Sequence, residues 1–134
     1  MQRTKSYLLS KPEAVEDTPF RLDVTVFKVG KKMFATLGEN DGVWQMNLKC
    51  DPEEAMILRD VYEGVLPGYH MNKAHWNTIL LDGRIPDSEI ERMIDNSYGL
   101  VLKGMTKSER RHFETLYTQA ELYGSRSSAP GNQA

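Results

Sequence analysis

Cysteine is nearly absent: Cys50 is the only one in 134 residues. A lone thiol forms neither an internal disulfide nor a thiolate metal cluster, and such scarcity fits a reducing compartment. Long apolar runs are missing too. Nothing approaches the roughly 20 consecutive apolar residues that span a bilayer, and Met1-Gln2-Arg3-Thr4-Lys5-Ser6 lacks the apolar centre of a secretory signal. A soluble, cytoplasmic protein is therefore expected. There is no excess of positive charge either: 17 basic against 19 acidic residues leave a net charge of -2. That balance argues against tight, sequence-independent nucleic-acid binding. Only three histidines are present, and His112 lies far along the chain from His70 and His75. A catalytic zinc wants three protein ligands, so no metal and no other cofactor is expected. There is no nucleophile elbow, no phosphate-cradling glycine loop and no carboxylate pair with a basis for split acidities. The chain is not expected to be an enzyme.

What is present suits one domain with one core. Hydrophobic residues make up 40% and charged residues 27%, ordinary for a globular protein. Ser6 to Ser10 reads as a short helix halted before Pro12, followed by an acidic, proline-bounded loop from Pro12 to Phe20. Thr25–Val29 and Met33–Leu37 alternate around a tight turn at Gly30-Lys31-Lys32. Gly38-Glu39-Asn40-Asp41-Gly42 has strong turn chemistry and leads into a third strand, Val43–Cys50, with Trp44, Met46, Leu48 and Cys50 facing inward. Asp51-Pro52-Glu53-Glu54 is a helix start, with Asp51 as cap. Its apolar stripe is Ala55, Leu58, Val61 and Tyr62, and it ends near Gly64. Val65–Met71 and His75–Leu81 read as two further strands joined at Asn72-Lys73-Ala74. A helix follows from about Pro86, with Ser88 and Glu91 at capping-box spacing. Its face is Ile90, Met93, Ile94, Tyr98, Val101 and Leu102, and it closes at Gly104. Thr106 caps a last helix running from Lys107 to about Tyr123.

These elements give an α+β domain over residues 1–123. It has two layers, with helices packed on a mainly antiparallel five-stranded sheet in the order α-β-β-β-α-β-β-α plus a C-terminal helix. Residues 124–134 have almost nothing to bury and are expected to be disordered.

The densest mixture of polar, cationic and aromatic groups is Gly68 to Gly83. Its run His70-Met71-Asn72-Lys73-Ala74-His75-Trp76, the strand into Leu81-Asp82-Gly83, then Ile85-Pro86-Asp87-Ser88 and Asp95-Asn96-Ser97-Tyr98, resembles the MmcQ/YjbR-like family of small bacterial proteins. Pro12, Glu16-Asp17, Pro19-Phe20 and Lys32-Met33-Phe34-Ala35 extend the likeness, which covers roughly Tyr7 to Gly104. The resemblance implies a frataxin-like or secretion-chaperone-like α/β fold and a DNA-binding role through two hairpin wings.

The candidate nucleic-acid contacts are Lys28, Lys31, Lys32, His70, Asn72, Lys73, His75 and Arg84. Lysines at hairpin tips neutralise phosphates, Asn72 can hydrogen-bond a base edge or a phosphate, and Trp76 can stack on an exposed base. Charge is polarised along the chain. Residues 20–50 carry five basic groups and three acidic, net +2, whereas residues 51–64 carry Arg59 against five acids, net -4. Such a field can steer DNA toward the hairpins. Plainer readings stand beside each. Lysines at turns keep edges soluble, Asn72 makes the turn, and Trp76 belongs to the core. Cys50 alternates with buried residues and is an inert core thiol. The alternatives to DNA are a protein-interaction or chaperone-like module, or a small-molecule pocket near His70 and His75.

Overall fold

The computed structural model describes residues 2–18, 24–68 and 71–124. Among these residues six strands form one antiparallel sheet: β1 (Val15–Asp17), β2 (Val24–Val29), β3 (Lys32–Asn40), β4 (Val43–Lys49), β5 (Val65–Pro67) and β6 (Trp76–Leu80), in spatial order β1-β2-β3-β4-β6-β5. The described residues also form five helices: α1 (Gln2–Ser10), α2 (Pro52–Val61), α3 (Asp87–Lys103), α4 (Lys107–Leu116) and α5 (Gln119–Tyr123). The α+β, two-layer reading holds. The strand count rises from five to six because Val15-Glu16-Asp17, read as acidic loop, pairs with β2 through Glu16 and Phe27. All three β1 residues are exposed, so no buried alternation marks this edge strand.

Register sorts the sheet into two faces. Direct partners share a face, so Phe27, Ala35, Leu37, Leu48, Met46 and Ile79 line one side. All belong to a single buried cluster with Leu8 of α1, Ala55 and Leu58 of α2, Ile94 and Tyr98 of α3, Phe113 of α4 and Leu122 of α5. Every helix therefore packs on that side. The opposite side carries Val26, Thr36, Asn47, Thr78 and Leu80. There Asn47 donates to Thr36 Oγ1 at 2.9 Å and accepts from Thr78 at 2.6 Å.

One irregularity fixes how the layers dock. Phe27 pairs with Ala35 but Lys28 pairs with Met33, so Phe34 is an extra residue in β3, a bulge. Phe34 and Ala35 are consequently both fully buried, and the Phe34 ring meets Tyr98 edge-on at 5.3 Å. Beside the bulge, the hydroxyl of Ser97 on α3 donates to the Phe34 carbonyl at 2.6 Å and accepts from the Lys49 amide at 2.9 Å. The last β3–β4 pair is Ala35 with Leu48. At the level of the next pair, a serine hydroxyl sits between the strands in place of a direct backbone bond.

Helix α3 presents every residue of its predicted stripe to the core. Its start differs from the expectation: Pro86 is the N-cap, without a side-chain cap, and Glu91 instead accepts from Arg3 at 3.0 Å. The last helix is two. Thr106 and Glu109 form a capping box for α4, and Thr118 and Glu121 form another for α5. In α2, Ala55 and Leu58 are buried and Tyr62 is half-buried, but Val61 is exposed. Of the expected tail, residues 124–134, Gly124 is buried as the C-cap of α5, and the rest lies outside the described residues. No helix among the described residues is long and apolar enough to cross a membrane.

Candidate nucleic-acid interface

Two tight turns build the first tip and its opposite end. Gly30 and Lys31 join β2 to β3 with φ of 54° and 74°, the left-handed pair that a two-residue hairpin requires. Asp41 and Gly42 do the same between β3 and β4 with φ of 53° and 80°. At Gly30 a Cβ would stand 2.9 Å from Met105 Cε, so the turn rests directly on the segment entering α4. Lys31 and Lys32 are both exposed there.

The second tip leads into β6. Asn72 Oδ1 accepts from the Ala74 amide at 2.9 Å, and the Asn72 carbonyl accepts from the amides of His75 and Trp76. Asn72 therefore makes the turn, as its residue type suggests. Arg59 of α2 clamps this turn from behind. Its Nε donates to Asn77 Oδ1 at 2.7 Å, and its Nη2 donates to the Lys73 carbonyl and reaches the Trp76 carbonyl at 3.5 Å. Lys73 and His75 are exposed. His70 lies outside the described residues.

Strand directions bring these tips to one end of the sheet. Trp76 pairs with Lys49, and the Cys50 amide donates to the His75 carbonyl at 2.7 Å. His75 thus stands level with the top of β4, as does the β2–β3 tip, since Ala35 pairs with Leu48. The tips are three strand spacings apart, about 14 Å across the sheet. Lys31, Lys32, Lys73 and His75 share that end. Lys28, two residues before the Gly30 turn, lies at the same end but is tied to Asp17, and Arg84 does not join them. Lys28 lies within β2 and pairs with Asp17 at 3.3 Å. Arg84 follows β6 at the opposite end and pairs with Asp82 at 2.7 Å and Glu63 at 3.6 Å. Hydrogen bonding from Arg84 holds the Asp82 carboxyl below its ordinary range.

Acids interrupt the cationic end. Exposed Asp51 and Glu53 lie between the tips at the start of α2, where Asp51 caps the Glu53 amide at 3.2 Å. Glu109 is held below the usual carboxylate range by the Thr106 backbone and hydroxyl, with Lys32 adding to the effect. Trp76 is half-buried and pairs with Lys49. By that register it lies on the side away from the helices, so it is not a core tryptophan.

Two further features of the described residues lie away from the tips. Cys50 is buried, and desolvation first, then Glu54 and Asp51, push its thiol up to about 12. A thiol so protonated is a poor nucleophile. A cleft of about 120 Å³ between α2, α3 and α5 is lined by Cys50, Asp51, Glu54, Asp95 and Asn96, among others. Its carboxylates are engaged: Glu54 with Arg92 at 3.1 Å, and Asp95 with Lys11 at 2.8 Å and Tyr7 at 2.7 Å. The lining of this cleft does not include His75. Among the described residues no group of three or more His, Cys, Asp or Glu is placed to hold a metal ion.

Comparison with known proteins accounts for most of the chain. The family model for YjbR matches residues 9–100. Over 105 residues the chain is 35% identical to the uncharacterized protein YjbR of Escherichia coli (strain K12), spanning 78% of this chain and 89% of that one. It is 36% identical over 93 residues to the uncharacterized protein YbdF of Escherichia coli O157:H7, covering 69% and 76% of the two chains. The crystal structure of Deinococcus radiodurans protein DR2400, with its DUF419 domain, is similar with a TM-score of 0.76 and 36% identity, over 83% and 85% of the two chains. A Pseudomonas syringae protein follows with a TM-score of 0.65 and 34% identity, over 74% of this chain and 96% of that one.

Proposed function

The chain belongs to the YjbR family, and from that premise we propose that it is a non-catalytic DNA-binding domain that grips the phosphate backbone with two hairpin tips. The observation that carries this reading is the shared end of the sheet. Lys31 and Lys32 on one turn and Lys73 on the other are all exposed, at the same level, on either side of β4. A separation of about 14 Å is of the order of the 12 Å width of the major groove, so the tips can meet phosphates on both of its banks. His75 sits beside Lys73 and can donate to the same strand. The acids between the tips and the total charge of -2 keep the affinity modest and make it dependent on salt.

The test is fluorescence anisotropy of a labelled duplex at two salt concentrations. Wild type is compared with Lys31→Glu/Lys32→Glu/Lys73→Glu and with an Arg84→Glu control from the far end of the sheet. Each lysine removed lowers the slope of log affinity against log salt by roughly 0.9. The triple variant should lose nearly three units of slope while Arg84→Glu behaves as wild type. Equal binding by all three proteins, or none by wild type, refutes the proposal.

A further inference from the structure

The helix α2 is apolar on two sides. Its inner side, Ala55 and Leu58, is buried against the sheet. Its outer side carries Met56, Ile57 and Val61, which are 67%, 59% and 62% exposed. Together with Glu53 and Asp60 these residues occupy positions i, i+3, i+4, i+7 and i+8, one continuous stripe along two turns. Single exposed apolar residues are ordinary on a protein surface. Three large ones on one side of a ten-residue helix form a patch on the order of 300 Å², the scale at which surface patches are often functional.

The charges around the patch say what fits it. Asp51, Glu53, Asp60 and Glu63 are all exposed along or beside the stripe. The helix's one cation, Arg59, is turned inward to Asn77 and the Lys73 carbonyl. The outer side is thus apolar with an acidic border. A second copy of the same face would bring Glu53 and Asp60 against like charges, which costs affinity. Duplex DNA is repelled for the same reason. We propose that the outer face of α2 docks a cationic amphipathic helix of a partner protein. The partner's apolar anchors would pack between Met56, Ile57 and Val61 by ridge-into-groove contact, and its Lys or Arg side chains would meet Glu53 and Asp60. This surface adjoins the hairpin tips at Glu53 and does not rest on the DNA reading.

The probe is a synthetic 15-residue helical peptide of Leu and Lys, with a Leu/Glu peptide of the same pattern as its counterpart. The Leu/Lys peptide should bind wild type, weaken at least tenfold on Met56→Ser/Ile57→Ser/Val61→Ser, and weaken with added salt. Glu53→Lys/Asp60→Lys should reverse the preference toward the Leu/Glu peptide. Amide chemical shifts of wild type on titration should move along residues 53–61 rather than at Lys31 and Lys73. All the substitutions are at exposed positions, and thermal melts report whether they fold. If the triple variant does not, Ile57→Ser and the shift map decide. Absent binding, binding unchanged in the variants, or shifts centred elsewhere overturn the proposal. So does wild-type self-association that the triple variant abolishes. Duplex binding by the serine variant should match wild type, which separates failure here from failure of the DNA reading.

Discussion

Replacing Ser97 with alanine removes one oxygen and strands two backbone groups. The Phe34 carbonyl accepts from that hydroxyl at 2.6 Å and the Lys49 amide donates to it at 2.9 Å, and Ser97 is fully buried. An unsatisfied buried donor or acceptor costs about 1–3 kcal/mol. With partial relaxation of the strands, Ser97→Ala should lose about 2–4 kcal/mol. For a domain of this length roughly 4 °C of Tm goes with each kcal/mol, so a thermal melt should fall by about 8–16 °C. Urea denaturation gives the same quantity independently, with the slope m unchanged. Hydrogen exchange supplies a local reading, since the Lys49 amide should lose protection before its neighbours in β4. Ser97→Cys, a weak donor and weak acceptor of similar shape, should fall between. The reasoning fails if Ser97→Ala changes stability by less than about 0.5 kcal/mol. That result would mean that Phe34 and Lys49 close up and bond directly, and that the bulge rather than the serine sets the spacing of the strands.

Two further outcomes follow from the buried chemistry. Lys11→Met leaves Asp95, whose side chain is 13% exposed, with Tyr7 but no cation, and should cost about 3 kcal/mol in urea denaturation. Lys11→Met/Asp95→Leu should recover most of that loss; a double variant as unstable as the single one would contradict the assignment. For Cys50, a folded value of about 12 against an ordinary 9.0 means that the folded state holds its proton longer than the unfolded one. The stabilisation is complete below pH 9 and is lost as pH rises from there toward 12. Wild type should therefore lose stability relative to Cys50→Ala over that window, and parallel curves for the two proteins would refute the shift.

Much of the fold was legible because local pattern and tertiary outcome agree. Helix α3 reads from its periodicity because it lies across the sheet with one face wholly covered. The turns at Gly30 and at Asp41-Gly42 read because only a few residue types tolerate their backbone. Most of what escaped has no local signature. Strand β1 is exposed at an edge, so its residues do not alternate. Val61 fits the inner spacing of α2 as well as Leu58 does, and only the docking of the helix decides that it faces outward. The break between α4 and α5 was written in the chain as Thr118-Gln119-Ala120-Glu121, the same capping spacing as Thr106 to Glu109, but continuous helical composition hid it. Ser97 has partners 48 and 63 residues away, and no window of sequence joins them. At the candidate site, turn chemistry located Lys31, Lys32, Asn72 and Lys73. Whether Arg84 shared their end depended on strand order, which short-range pattern does not encode.

Arg59 gives the molecule a mechanical linkage. One guanidinium grips Asn77 inside the sheet and the peptide carbonyl of Lys73 at its rim, so the turn is fastened to the helix through its backbone. The hold falls on a main-chain oxygen, so the turn keeps its anchor whatever side chain stands at position 73.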